Sequence, residues 1–320
     1  MLEVSIVIVC MNNLKNLYPC LDSIKKYTTI SYECFVVAYL FSKENLKKVK
    51  KDFPWVKFME SNEISGFSEN NNLALRQAKG KYCFVVNDDT VMKMPVVDRL
   101  VESFSRCPEN TAIISPNILN YKGEVSVCGR NRFDWKTTFI SEWYNAYLYK
   151  PSRYVNQKGL FQTYNILGAA FLIKTDLFSK IGWFDERYFF CPEDIAVSTT
   201  LNKMGYLCYV DTDVEIYHCE GMSGKSVSKM ITATKPAAML GSLLFYSENS
   251  FFKKILLRSN IMLSLPCHYV YHSLLALMNQ NPEVNKLLAK GEINSLKALF
   301  MFDNPKEAFS YFYEKMKNSN

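Results

Sequence analysis

Apolar runs alternate with amphipathic stretches along the first part of the chain. Val4-Ser5-Ile6-Val7-Ile8-Val9 is apolar at all but one position, the pattern of a strand covered on both faces. Leu14, Leu17, Leu21 and Ile24 then recur three and four residues apart, which is helical spacing. Pro19 places the start of the regular helix near Tyr18, because proline fits a first turn. Glu33–Tyr39 predicts a second strand, Lys43–Lys51 a charged helix and Val56–Met59 a third strand. Ser68 predicts the cap of a helix that Gly80 ends. Tyr82–Val86 repeats the buried-strand pattern and runs directly into Asn87-Asp88-Asp89-Thr90. Such alternation implies right-handed βαβ units and a largely parallel sheet. No GxGxxG follows the first strand, which argues against a dinucleotide-binding fold of that type.

After Ser226 this rhythm stops and residues 227–320 read as helical. Phe251–Arg258 joins bulky apolar residues to basic ones, and Ile261–Met278 is apolar but broken by Pro266, His268 and His272. Packing against the rest of the chain, homo-oligomerisation and contact with a membrane surface all suit such helices. Residues 1–226 and 227–320 are therefore expected to form separate regions.

Composition adds limits. The 320 residues are 48% hydrophobic and 22% charged, with a net charge of +7, an ordinary globular make-up. No continuous basic stripe interleaved with aromatics is present, so a nucleic-acid partner is not expected. Ten cysteines are scattered without a CxxC pair and read as thiols of a reducing cytosol. Met1-Leu2-Glu3-Val4 enters a strand without the pattern of a signal peptide, and no apolar run is long enough to span a bilayer. The expectation is a cytoplasmic protein, with the cytoplasmic membrane face as its one candidate surface.

Three places carry candidate chemistry. Asn87-Asp88-Asp89 lies at the carboxyl end of a buried strand, where open α/β sheets bind ligands. Carboxylates there can hold a hard divalent cation and, through it, a diphosphate; an acidic turn is the competing reading. Glu193-Asp194 precedes the apolar positions Ile195, Leu201 and Met204 of a helix stopped by Gly205. The helix dipole favours an ionised Asp at that place, as a general base requires, although such charge placement is common at helix starts. His218 follows the strand-like Val214–Tyr217. A lone His is more often structural than a ligand.

The ordered set Asn62…Gly66-Phe67…Asn71-Asn72-Leu73…Gly80-Lys81-Tyr82…Asn87-Asp88-Asp89, Pro116-Asn117, Gly129-Arg130, Leu167-Gly168-Ala169-Ala170, Gly182-Trp183-Phe184-Asp185, Glu193-Asp194 and Tyr217-His218 resembles the inverting family 2 glycosyltransferases of the GT-A fold. The likeness is nearest to the rhamnosyltransferase and galactofuranosyltransferase branch. It implies a Rossmann-like α/β fold with a mixed, mostly parallel sheet flanked by helices, here with a helical C-terminal extension. It further implies Asp194 as the base, preceded by Glu193, and Asp89 with His218 as ligands of Mn²⁺ or Mg²⁺. Donor contacts are implied at Cys10, Met11, Asn12, Gly66, Asn71, Asn87, Asp88 and Lys225. The implied partners are a dTDP- or UDP-linked sugar, rhamnose first, and a glycan or lipid-linked glycan acceptor.

The sequence departs from the family at one point. Where the family carries a nucleobase-contacting Asp after the second strand, this chain has Ala38-Tyr39-Leu40. Either base recognition comes from Cys10, Met11, Asn12 or a stacking Tyr39, or donor binding is weak. Aromatic residues crowd 131–162, among them Trp135, Trp143 and Tyr147, and suit either sugar stacking or simple packing. Two other readings stand beside the transferase. A catalytically silent carbohydrate-binding scaffold accounts for Ala38. A sugar nucleotidyltransferase needs a Gly-rich basic loop after the first strand, and Asn12–Asn16 holds no Gly.

Overall fold

The computed structural model describes residues 2–127, 129–143, 157–219 and 229–318. The first strand, β1 (Val4–Met11), leads into α1 (Leu14–Tyr27), β2 (Tyr32–Tyr39), α2 (Lys43–Asp52), β3 (Lys57–Ser61), α3 (Phe67–Leu75) and β4 (Tyr82–Val86). Then come β5 (Thr90–Met92), α4 (Val96–Phe104), β6 (Thr111–Leu119), β7 (Val125–Val127) and α5 (Trp135–Ser141). β8 (Leu160–Thr163), β9 (Ala170–Lys174), α6 (Thr175–Lys180), α7 (Glu193–Lys203) and β10 (Leu207–His218) complete the sheet-bearing part. The helices α8 (Ile231–Tyr246), α9 (Phe251–Leu277), α10 (Pro282–Met301) and α11 (Pro305–Lys317) follow. The chain divides into two compact units: the strands with α1–α4, α6 and α7, and the helices α5 and α8–α11 with Glu186–Pro192.

In the first unit the sheet has ten strands in the order β3-β2-β1-β4-β9-β6-β10-β5, with β7 on β6 and β8 on β10. β1, β2, β3 and β4 pair in parallel. β9 runs antiparallel between β4 and β6, after which β6 and β10 pair in parallel again. The sheet is thus mixed, with β1–β4, β6 and β10 sharing one direction, as expected.

Strand alternation sends each apolar run to both faces. Ile6, Ile8, Phe84 and Val86 pack with Leu17, Leu21 and Ile24 of α1, whereas Val7, Cys83 and Val85 pack with Leu75 of α3 and Phe178 of α6. A fully buried side chain such as Phe84 or Phe171 contributes roughly 1.5–3 kcal/mol by leaving water. A strand with both faces covered has no polar side, which is why β1, β2 and β4 read as unbroken apolar runs.

Two local expectations are corrected. Helix α1 begins at Leu14, with the Asn13 side chain accepting the Asn16 N–H at 3.4 Å, so Pro19 lies inside it. The hydrogen bond that Pro19 cannot make belongs to the Lys15 carbonyl, and both residues are exposed, so water can serve that carbonyl. Helix α3 is capped by Gly66, whose N–H donates to Glu69 Oε2 at 2.8 Å, and not by Ser68. It ends at Leu75, well before Gly80. Gly80 instead lets the chain cross β1: a Cβ there would lie 2.4 Å from the Ser5 nitrogen.

Among the described residues the regular elements of the second unit are all helices. Gly241 of α8 packs so closely on the Cys191 carbonyl that a Cβ would sit 2.4 Å from its oxygen. The Phe189 and Phe309 rings pack with centroids 4.4 Å apart, tilted by 33°. Asn260 of α9 donates to the Phe139 carbonyl and accepts from Trp143 Nε1–H at 2.6 Å, which ties the end of α5 to α9. Pro266 lies within α9, so the interruption seen in Ile261–Met278 does not split the helix. Among the described residues no helix is long and apolar enough to cross a membrane. Every described cysteine is a free thiol.

Candidate active site

The acidic tetrapeptide follows β4 at the carboxyl end of the parallel strands, and its backbone is held on several sides. The Asn87 N–H donates to the Ala169 carbonyl at 2.9 Å, and the Thr90 hydroxyl donates back to the Asn87 carbonyl at 2.9 Å. β5 then starts at Thr90 and pairs antiparallel with the end of β10, Thr90 opposite His218. That register brings two residues distant in sequence face to face. Asp89 Oδ1 stands 3.1 Å from His218 Nε2, and Asn87 Nδ2 stands 3.5 Å from the same nitrogen. The Cys219 N–H donates to the Asp89 carbonyl at 2.8 Å and fixes the loop from its other side.

This pair suits a hard divalent cation. Oxygen and nitrogen donors separated by 3.1 Å match two adjacent ligands of one ion held at roughly 2.1 Å from each. Carboxylate and imidazole form a mixed donor set, the carboxylate favouring Mg²⁺ and Mn²⁺. No cluster of three or more His, Cys, Asp or Glu converges among the described residues. Among the described residues the donors that face each other here are Asp89 Oδ1 and His218 Nε2.

Asp88 lies close to Cys10 of β1, whose thiol donates to the Asn13 carbonyl at 3.5 Å. Burial raises the Asp88 carboxyl to about 6, and the neighbouring Asp89 charge adds to that rise. Burial first, then Asp88, pushes the Cys10 thiol far up, so the sulfur stays protonated and serves as a donor. Met11 is exposed at the end of β1. Asn12 has φ 51° and uses its side-chain oxygen to accept the Ser42 N–H at 3.2 Å and Asn45 Nδ2–H at 2.9 Å, so it organises the start of α2. Tyr39 is buried, and its hydroxyl accepts the Ser65 N–H at 3.3 Å. Asn71 donates back to the Phe67 carbonyl within α3. Lys225 lies outside the described residues, as do Tyr144, Tyr147, Tyr149 and Tyr154 of the aromatic stretch.

Glu193 and Asp194 open α7, and both are buried. The Asp194 carboxylate accepts the Gly168 N–H at 2.9 Å and faces Arg130 Nη1 at 3.3 Å, both on Oδ2. A Cβ on Gly168 would come 3.3 Å from that of Asp194, so the glycine keeps the approach open. Gly168 and Ala169 are consecutive; one holds Asp194 and the other holds Asn87. The base candidate and the acidic loop thus share one short piece of chain at the entry to β9. Arg130, Gly168 and Ala169 were not among the expected site residues. Their only signal was membership of the motifs Gly129-Arg130 and Leu167-Gly168-Ala169-Ala170.

Comparison with known proteins follows the same lines. GalNAc-T7, solved with UDP, GalNAc and Mn²⁺, is 18% identical with a TM-score of 0.54 over 68% of this chain. The chain spans 43% of the length of that protein. The mannosyltransferase PcManGT of Pyrobaculum calidifontis, solved with GDP-Man and Mn²⁺, is 15% identical with a TM-score of 0.53. That likeness covers 99% of this chain and 88% of the other. At these identities the shared property is the fold, which is GT-A-like. No curated protein sequence matches the chain. A family model described as glycosyl transferase family 2 matches residues 5–182, more than half of the 320 residues. The chain belongs to glycosyl transferase family 2.

Proposed function

We propose that the protein is an inverting glycosyltransferase that moves a sugar from a nucleoside diphosphate to a glycan or lipid-linked glycan hydroxyl. Asp194 takes the proton of the acceptor hydroxyl as that oxygen attacks the anomeric carbon in a single displacement. Asp89 and His218 would hold Mn²⁺ or Mg²⁺, which supplies positive charge against the departing diphosphate. Arg130 and the Gly168 N–H hold the Asp194 carboxylate in one orientation. Asp88 with Cys10, beside the exposed Met11, forms the floor on the nucleotide side.

The observation that carries this reading is the shared anchor at Gly168–Ala169, which ties the base candidate to the acidic loop. The UDP, GalNAc and Mn²⁺ of the GalNAc-T7 structure and the GDP-Man and Mn²⁺ of the mannosyltransferase structure support a nucleotide-sugar donor and a divalent cation. The donor is proposed as dTDP- or UDP-linked, with rhamnose as the first sugar to try. With Ala38 in place of an acidic residue, the base is read by groups around Met11.

A thermal-shift panel of UDP, dTDP, GDP and CDP, with and without Mn²⁺ or Mg²⁺, tests the reading. A ligand that binds only the folded chain at about a hundred times its Kd adds about 2.7 kcal/mol. Stabilisation by one nucleotide, dependent on metal and lost in Asp89→Ala, is the expected result. No shift with any nucleotide would favour a silent scaffold instead.

A further inference from the structure

The helical unit holds a partly open cavity of about 760 Å³, within the range of sites that take small molecules. Leu257, Ile261, Leu265 and Leu288 make one side of it apolar. Its polar end is built where α8 meets α10. Gly291 carries no side chain, and a Cβ there would lie 3.3 Å from Lys235 Cδ, so the two helices approach closely. The Lys235 ammonium thereby reaches Glu292 Oε1. His272 Nε2 stands 3.8 Å from the same oxygen, and its Nδ1 pairs with Asn285 Oδ1 at 2.9 Å.

Two polar atoms at this end are left over. Glu292 is 1% exposed and Ser295 0%, and both line the cavity. Glu292 Oε2 and Ser295 Oγ have no hydrogen-bond partner among the described residues. Buried polar atoms are normally paired, and leaving one unpaired is costly. A ligand bearing hydrogen-bond donors would satisfy both.

The surroundings also select the charge of that ligand. Lys235 already balances Glu292. Glu142, which accepts from the Ser264 hydroxyl at 3.2 Å, is pushed toward its neutral form by burial. Beyond Glu142 and the Lys235–Glu292 pair, the charge-bearing groups on the lining are the His268 and His272 rings, so an ionic head would meet no second full counter-charge. The cavity's His and Glu residues do not converge as a metal site.

We propose that this cavity binds a small neutral amphiphile, an apolar chain ending in a hydroxylated head that donates to Glu292 Oε2 and Ser295 Oγ. The assignment is independent of the donor site and of turnover.

Isothermal titration of the intact chain with 1-octanoylglycerol below its micelle concentration tests it, with octanoate and octylamine as charged counterparts. Saturable one-to-one binding is expected from octanoylglycerol, at least tenfold tighter than from either ion. Ser295→Ala removes an unpaired hydroxyl, so the free protein should melt no lower while affinity falls about five- to tenfold. Ser242→Phe, which projects a ring into the cavity, should abolish the heat. Absent saturable binding, a preference for a charged counterpart, or unchanged affinity in both folded variants would each overturn the proposal.

Discussion

Arg130 Nη1 lies 3.3 Å from Asp194 Oδ2, and the same oxygen accepts the Gly168 N–H. The carboxylate therefore has one oxygen fixed by two donors while its helix supplies the Ile195 N–H to the other at 2.8 Å. Asp194→Asn keeps the size but has one accepting oxygen where the carboxylate has two, and it lacks the basicity. Transfer should fall on the order of 10²–10⁴-fold, alongside a modest drop in melting temperature. Assay of sugar transfer alongside a melt separates these effects; retained activity would remove Asp194 as base.

Arg130→Met should act through Asp194 and not through donor binding. The expected result is about tenfold loss in kcat with the nucleotide Kd unchanged, the mark of a positioning residue. Arg130→Lys should recover part of the loss. Equal falls in nucleotide affinity and kcat would place Arg130 on the donor instead.

Asp89→Asn and His218→Ala should each weaken Mn²⁺ binding, read from the electron spin resonance signal of the free ion. Loss of several kcal/mol of charge stabilisation corresponds to roughly 10³-fold in kcat. Added Mn²⁺ should partly restore each variant, as expected when affinity and not folding is damaged. An unchanged ion affinity in His218→Ala would leave Asp89 without this partner.

Glu33 sets an acid limit on stability. Burial tends to raise its pKa, but Lys57 at 2.6 Å, the Ser5 hydroxyl at 2.6 Å and the Lys79 N–H at 2.8 Å together lower it below the ordinary 4.5. A lowered folded pKa means that this contribution is full above 4.5 and fades as pH falls through the folded value. Glu33→Gln should cost about 1–3 kcal/mol at pH 7 by urea unfolding, and progressively less as the pH falls below 4.5. A cost independent of pH would show that packing, not charge, matters there.

Gly80→Ala should destabilise by about 1–3 kcal/mol, because the added methyl meets the β1 backbone at 2.4 Å and not a movable side chain. Urea midpoints of the two proteins measure it. A neutral result would mean that β1 and β4 can separate without loss of pairing.

The parts of the fold legible in the sequence were those whose burial is two-sided. β1, β2 and β4 announced themselves as apolar runs because no face of them meets water. β5 has three residues, too few for any period, and β10 is interrupted by a register shift between Asp211 and Glu215, which hid its length. Pro19 was misleading because a proline on an exposed helix face forfeits only a hydrogen bond that water can replace. In the site, Asp89, Asp194 and His218 rested on the family likeness, since each residue alone reads as a turn, a helix start or a structural imidazole. The Arg130–Asp194 contact joins residues 64 positions apart, with Arg130 bridged to Asn165, a non-local event that local pattern cannot register.

The antiparallel pairing of β5 with the end of β10 has a consequence for how the chain holds together. Asn87 and His218 are 131 positions apart, yet that pairing places them in one constellation. An ion shared by Asp89 and His218 would act as a clasp on the last strand, so chelation should loosen Ile216–His218 before the rest of the sheet. Amide exchange in that strand would then report cation occupancy without any sugar being transferred, making the end of β10 a built-in gauge of whether the site is filled.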